Sequence, residues 1–458
     1  SPVEDSATDT AEPVTFEQLA EGCSPGTATA DPLALATSIS VTADAPGVPF
    51  MEIVDVDIDG QEAWAVGQGG LVLGAIAVDG TMTQAYRDPG QGRYHRVELS
   101  DDLVFLVHRD FGIEARPRDK LGEPGARLGG PGDEGMAVVG DRLFVANRER
   151  GTVVYALDGT ALPTELGSGG GGAATWDLAA AGEDHLLAAD NIEGIVVIDV
   201  SSPDSPTVLT TVDVGGSTYD IAVDGDYAYA AAGGDGVVVL DVRDPSAPVP
   251  VAWANTGGSA VSVAVSTGVL WVADHSSISA WDVSDPVSPS PIGWEEVQQF
   301  ALGIGAHPTG AVLGDWGYFE AWTLDRSVSA PALDTPLDGL RAANGVAETT
   351  IHNRGQGDLV LADALAEGAA VWVSAATIPP GASATLRVVY EDAVPGSVCV
   401  GTNDPDHPTL TLAISADGDE APVGEVAPDF TLPTVTGDTV RLSEQLGHPV
   451  MLSYFATW

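Results

Sequence analysis

The sequence predicts an all-β protein in which about seven propeller blades precede a β-sandwich, and three observations carry that expectation. The first is a repeat: TWDLAAAGEDHLLAADNIEGIVVIDVSSPDSPTVL from Thr175, TYDIAVDGDYAYAAAGGDGVVVLDVRDPSAPVPV from Thr218 and SVAVSTGVLWVADHSSISAWDVSDPVSPSPI from Ser262 are versions of one unit. Their Asp-Val pairs begin at Asp199, Asp241 and Asp282, a period of 42 and then 41 residues. A period of that size with strand-like content means a propeller blade. The second is a set of short runs, alternating or continuously β-branched, separated by Gly and Asp. The third is composition: 55 Gly and 31 Pro punctuate a chain that is 44% apolar, which suits many short strands and tight turns.

Each unit reads as four strands. In the second copy they fall at 219–223, 227–231, 237–241 and 249–254, with the SxPxxP-type stretch between the third and outer strands. Proline lacks an N–H and fixes φ, so it belongs in that connection. Weaker copies begin near Glu52, Arg96, Met136 and Leu302, which brings the total to about seven over residues 50–326. The last copy has three strands, and residues 37–47 (TSISVTADAPG) read as an outer strand without a blade. The N-terminal strand is therefore expected to complete the final blade and remove two sheet edges. On this reading residues 35–326 are the propeller, and the acidic Ser/Thr/Pro-rich residues 1–34 are a solvated tether.

The units resemble the LVIVD-repeat family of bacterial propellers on a G-[VI]-x-V-[VIL]-D-V-S-x-P-x-x-P pattern. Residues 194–206 and 236–248 match it, and 277–289 follow with Ser277 at the glycine position. The resemblance implies the propeller fold and brings no catalytic set, because propellers host many functions.

Residues 327–417 change pattern to six or seven short strands with turns every 8 to 12 residues, as in a β-sandwich. An N-x-G turn at 353–355, a P-P-G turn at 379–381 and an N-D-P at 403–405 make this stretch similar to immunoglobulin-like modules of the abnormal-spindle and hydin type. Such modules space or bind. Cys399 falls at an alternating strand position and reads as a small buried hydrophobe. After a linker at 418–425, residues 426–458 resemble the start of a redoxin, the thiol-disulfide oxidoreductase and alkyl hydroperoxide reductase group of the thioredoxin superfamily. Ala427, Pro428, Asp429 and Phe430 open that signature, a small hairpin spans 437–442, and Phe455, Thr457 and Trp458 end it. The resemblance implies an incomplete thioredoxin-like α/β fragment, with the reactive Cys-x-x-Cys expected after Trp458. Within the chain no catalytic residue and no cofactor is expected.

Charge narrows the partners. The 458 residues hold 17 Lys plus Arg against 67 Asp plus Glu, a formal net charge of −50, with Lys120 the single lysine. Such a surface repels phosphate backbones, so no nucleic-acid partner is expected, and no run of about 18 apolar residues predicts a transmembrane segment. Cys23 and Cys399 are the two cysteines; their spacing leaves both a disulfide and free thiols open and matches no metal motif.

Several strings imitate chemistry without its context. Residues 55–60 (DVDIDG) mimic a calcium loop, but the twelfth position is Val66 and the same residues fit an inner strand and turn. Residues 108–112 overlap two kinase-like strings by chance. Residues 167–172, rich in Gly, lack the Lys and Ser/Thr of a phosphate loop and read as a flexible connection between blades. The candidate ligand contacts are Trp176, Tyr219 and Trp316, aromatics near inner strands where they would line the propeller's mouth. The expected function is an exported, extracytoplasmic envelope protein, secreted, periplasmic or lipoprotein-anchored, acting as a binding or presentation scaffold for a protein or small molecule. The alternatives are a full-length envelope thiol-disulfide oxidoreductase targeted by its propeller, and a purely structural surface protein.

Overall fold

Leu103-Val104-Phe105-Leu106-Val107 shows why these strands build blades and not a half-solvated sheet. In a strand, alternate side chains face opposite ways. Here Val104 and Leu106 pack with Trp64 and Val66 of the preceding unit, while Leu103, Phe105 and Val107 pack with Leu143 and Val145 of the next. The same division recurs at 186–189, where Leu186 and Ala188 face back and Leu187 and Ala189 face forward. A continuous apolar run is thus a strand buried on both faces.

In the computed structural model the described residues are 14–15, 31–41, 52–88, 92–159, 162–172, 174–335, 340–343, 345–366, 368–390, 395–405, 407–416, 431–433 and 439–441. Among them are strands but no helix, and so no helix long and apolar enough to cross a membrane.

Seven four-stranded antiparallel blades follow one another. Blade 1 runs Glu52–Asp59, Glu62–Gln68, Gly70–Ile76, Met82–Arg87; blade 2 Tyr94–Leu99, Leu103–His108, Gly112–Pro117, Ala126–Leu128. Blade 3 runs Asp133–Val139, Arg142–Asn147, Gly151–Ala156, Thr164–Gly169; blade 4 Thr175–Ala180, His185–Asp190, Gly194–Asp199, Thr207–Val212; blade 5 Asp220–Asp224, Tyr227–Ala231, Val237–Asp241, Val249–Ala254. Blade 6 begins with Ser262–Ser266, Val269–Ala273 and His275–Asp282. The long strand Ser290–His307 then serves as the outer strand of blade 6 and, after a register break, the inner strand of blade 7. Gly310–Asp315 and Tyr318–Leu324 continue blade 7, and Leu33–Ser40 is its outer strand, pairing from Leu33↔Leu324 to Ser40↔Tyr318. Seven buried clusters lie one between each pair of neighbouring blades, including one that joins Val312, Phe319 and Ala321 of blade 7 to Ile53, Ala63 and Ala65 of blade 1.

Two local expectations need correction. The closing strand starts at Leu33 and not at Thr37, because Leu33 fits the blade 6–7 core beside Ile292 and Trp322. Residues 42–47 lie outside the described residues. The glycine-rich stretch is not a loose connection: residues 164–169 are the outer strand of blade 3. Its glycines let blade 4 come close, since a Cβ on Gly167 would lie 2.2 Å from the Asp204 carbonyl oxygen.

A second unit folds one sheet over a single core. Val346–Asn353, Ser383–Tyr390 and Ala369–Val373 lie on one side, and Leu359–Ala366, Ser397–Thr402 and Thr409–Ala416 on the other. Leu340–Ala343 joins them, antiparallel to the first group and parallel to Thr409–Ala416. Its turn motifs are hydrogen-bond hubs. Buried Asn353 accepts from the Ala332 and Gly355 amides and donates to the carbonyls of Gly357 and Ile378. Buried Asp404 accepts from the Leu333 amide at 2.6 Å. Cys399 is not in that core; it is half-buried on the opposite strand face and disulfide-bonded, and Cys23 is the one other cysteine in the sequence. Arg354 ties this unit to the propeller, donating to the Asn255 carbonyl at 2.6 Å and to Asp334 at 3.0 Å. Beyond it, Thr431–Pro433 pairs with Thr439–Arg441. Ala427, Pro428, Asp429, Phe430, Phe455, Thr457 and Trp458 lie outside the described residues.

The shared cores give a direct expectation. Leu33→Ala removes a buried side chain from the closing strand and should lower stability by about 2–5 kcal/mol, whereas Val208→Ala on the exposed outer strand of blade 4 should stay within about 0.5 kcal/mol. Urea unfolding followed by tryptophan fluorescence measures both.

Candidate functional site

Every inner strand enters the ring at one face of the propeller, where the connections from the preceding outer strand and between second and third strands also lie. Near five of the entries the pairing slips, as between Ile53 and Asp55, Tyr94 and Arg96, Thr175 and Asp177, or Ala301 and Gly303. A bulge re-aims the side chain that follows it. The seven equivalent positions are Asp55, Arg96, Gly135, Asp177, Asp220, Ser262 and Gly303, one per blade around the axis. Two must be glycine: a Cβ on Gly135 would lie 2.4 Å from the Asp177 Cα, and one on Gly303 2.6 Å from the Asp55 Cα.

The polar members lace neighbouring blades together. Asp55 accepts from the Val97 amide of blade 2 at 2.8 Å, and Asp220 accepts from the Ser262 hydroxyl at 2.6 Å and the Val263 amide of blade 6 at 2.8 Å. One turn deeper, Glu98 accepts from the Val138 amide of blade 3 at 2.8 Å. Arg96 spans the channel. It donates to Asp55 at 3.0 Å on blade 1 and to the Tyr219 carbonyl at 3.2 Å on blade 5, and reaches the Trp176 carbonyl of blade 4 at 3.4 Å.

Beneath Arg96 a cavity of about 300 Å³ is lined by Asp55, Asp57, Glu98, Asp177 and Asp220. It continues into a cleft of about 1110 Å³ on the opposite face, bordered by Asp59, Asp101, Asp102, Asp119 and Asp141. One arginine cannot neutralise so many carboxylates in a low-dielectric channel. Burial pushes Asp57 up to about 7, with Asp55 and Asp59 adding to the rise against the Ile58 amide. Burial, joined by Asp57, raises Glu98 well above the carboxylate range, and burial raises Asp177 against the pull of Arg96. Burial in the channel therefore favours the protonated form of these carboxyls.

Above Arg96 is the mouth. Trp176 and Tyr219 stand side by side on blades 4 and 5, half-buried, with ring centroids 6.3 Å apart and planes inclined at 56°. Trp316 belongs to a second group on the same face: its ring lies 5.8 Å from Phe300, which lies 6.0 Å from His275, and Phe300 is 51% exposed. The three predicted aromatics thus reach one face, and two of them touch. Arg96 and its carboxylates were not foreseen as a site. Their signal was present in the recurrence of Asp at one register of the repeat, in VDV, WDL and YDI. Residues 55–60 form an inner strand and a turn with Gly60 at φ +58, and the described residues contain no His/Cys/Asp/Glu cluster able to hold a metal.

Comparison with known proteins agrees with the propeller fold. Residues 172–214, 215–256 and 257–293 match the LVIVD repeat. No curated protein matches the chain. Among solved structures, the WD40 β-propeller domain of Doa1 is similar at 13% identity, with TM-score 0.51 over 64% of this chain and 98% of that one. The Cps50 (Swd1) β-propeller domain of Myceliophteria thermophila matches at 13% identity and TM-score 0.50, over 64% of this chain and all of the other. Virginiamycin B lyase of Staphylococcus aureus matches at 10% identity and TM-score 0.51, again over 64% of this chain and 100% of its own. At such identities these likenesses speak to the fold alone: residues of this chain form a β-propeller carrying LVIVD repeats.

The buried carboxyls set a pH dependence whose sign is fixed. Their folded pKa values exceed the unfolded ones, so the folded state binds more protons, and the contribution of Asp57 is fully present below about pH 4 and lost as pH rises through about 7. Melting temperature should fall between pH 5 and pH 8, and Asp57→Asn, which keeps an acceptor for the Ile58 amide, should flatten that fall. Arg96→Met should cost about 3–5 kcal/mol at pH 8 by leaving buried carboxylates unpaired, and less at pH 5, where they take up protons. Denaturant titrations at the two pH values distinguish these outcomes.

Proposed function

We propose that this LVIVD-repeat propeller is a binding scaffold of the extracytoplasmic space, which takes a small molecule or an exposed protein segment at its mouth. The observation that carries the reading is the division of the axis. Arg96 and the laced carboxylates fill the channel with groups that already have partners, while Trp176 and Tyr219 stand half-buried beside one another where the inner strands of blades 4 and 5 begin. Aromatic rings over a rigid polar floor give contact area at little conformational cost. The carboxylates hold blades together, so the face left for recognition is the aromatic one.

The disulfide at Cys399 supports the location, because structural disulfides persist in oxidising compartments and are reduced in the cytosol. The acidic surface suits a screened, salty medium. The second unit, read as an immunoglobulin-like spacer, is anchored to the connection at Asn255 by Arg354 and would present the propeller away from whatever follows it.

Two measurements test the reading. Thiol titration of the unfolded, unreduced native protein should find no reactive thiol and, after reduction, two; two free thiols before reduction would contradict the extracytoplasmic assignment. Ligand-observed NMR with a panel of aromatic acids, aromatic alcohols, amines and sugars should show binding that is lost in Trp176→Ala/Tyr219→Ala. Binding unchanged in that variant would remove the mouth as the site.

A further inference from the structure

Acids outnumber cations about fourfold in this chain, 67 to 17, so a guanidinium should seldom lack a carboxylate. Many conform: Arg116 bonds Asp88 and Glu114, Arg118 bonds Asp59 and Glu62, and Arg150, Arg243, Arg354 and Arg387 each hold an acid. Arg93, Arg109 and Arg127 hold none among the described residues. All three belong to blade 2, and the first two lie in its connections at the mouth face.

Arg93 precedes the inner strand of blade 2, and Arg109 sits in the turn between its second and third strands, with its amide donating to the Arg93 carbonyl at 3.3 Å. Arg148 occupies the equivalent turn of blade 3. One carboxylate serves this group: Glu134 meets Arg148 at 2.7 Å through one oxygen and His95 at 2.9 Å through the other. Its oxygens are thus both engaged. Burial, with Arg93 and Arg148 close by, lowers the pKa of half-buried Arg109 although Glu134 opposes the shift. Arg127 lies 3.8 Å over the ring of Phe111, whose other face stacks on His108 at 3.9 Å, so this cation is held in place without an acid.

The cluster and the aromatic pair lie on the same face of the ring. Glu134, Trp176 and Tyr219 are the residues just before the axial position on blades 3, 4 and 5, and a Cβ on Gly135 would lie 2.7 Å from the Trp176 carbonyl oxygen. We infer that the mouth binds a small organic anion, its carboxylate or phosphate received by Arg93 and Arg109 beside Arg148, and its apolar or aromatic body laid against Trp176 and Tyr219. Guanidinium forks match both oxyanions, and charge-assisted bonds are the strong ones. The inference rests on the mouth being the binding face and adds the chemical class of the ligand. It also explains why cations gather here in so acidic a chain: they draw an anion to one spot on a surface that otherwise repels it.

Calorimetric titration of the whole protein with phenyl phosphate, benzoate and benzyl alcohol tests it, at low and at 0.3 M salt. Phenyl phosphate or benzoate should bind at least about tenfold more tightly than benzyl alcohol, and weaken with salt. Arg93→Gln/Arg109→Gln should remove that preference, as should the exposed single variant Arg93→Gln in part, while Arg243→Gln on another blade changes nothing. The relative affinities of phenyl phosphate and benzoate identify which oxyanion the site prefers. Equal affinity for the three compounds, absence of binding by both anions, or full affinity in the arginine variants overturns the inference. If benzyl alcohol still binds and Trp176→Ala abolishes it, the mouth remains a binding face and only its anionic preference fails.

Discussion

Each blade of this protein is apolar on both faces, and that one constraint determines the architecture. A strand such as Leu103–His108 cannot stand at the edge of anything, because half of its side chains belong to the core in front and half to the core behind. A linear stack of such blades would leave one apolar face bare at each end. Closing the ring removes both, which is why blade 7 meets blade 1 across Phe319, Val312 and Ile53 and why a strand from the other end of the described chain is taken into the last sheet. That strand also carries polar closure: Ser38 donates to buried Glu320 at 3.1 Å, and burial, aided by Asp315, pushes Glu320 up to about 7.

Closure creates an axis, and the axis has to be filled. Seven inner strands converge too tightly for large side chains at every position, so the repeat alternates glycine at Gly135 and Gly303 with short polar groups at Asp55, Asp177, Asp220 and Ser262. Asp55, Asp220 and Ser262 bond amides on the next blade and act as rivets. Arg96 is the one long side chain of the set, and it reaches across to three other blades. The result is a rigid floor, with carboxyls beneath it and two aromatic rings and an arginine cluster above. Rigid scaffolds with functional residues on their connections are a common arrangement for recognition.

Much of this was legible from the sequence, for physical reasons. The period of the Asp-Val pairs and the doubly buried runs specify blades, since only a propeller repeats four short strands at that spacing. The places of Trp176 and Tyr219 near the start of inner strands were legible because the register of the repeat fixes where an inner strand begins. Gly167 and Gly169 misled because glycine signals both a flexible link and a close approach, and only the neighbouring backbone at Asp204 and Pro206 tells them apart. The start of the closing strand misled because its pairing partner, Leu324, lies 291 positions away and no local pattern announces it. The arginine cluster is invisible in sequence, since Arg93, Arg109 and Arg148 are scattered along the chain and are assembled by the ring. Cys399 looked like a core residue from its alternation, but its strand turns it to the other face.

Seven shared cores make the ring one cooperative body on which the mouth is built. Hydrogen exchange of the native protein, read by mass spectrometry across peptides from each blade, tests this most directly. The second and third strands of all seven blades should exchange together, with one common protection that Leu33→Ala lowers everywhere at once. Blades 1 and 7 opening independently while blades 4 and 5 stay protected would contradict it, and would mean an open array whose ends merely touch.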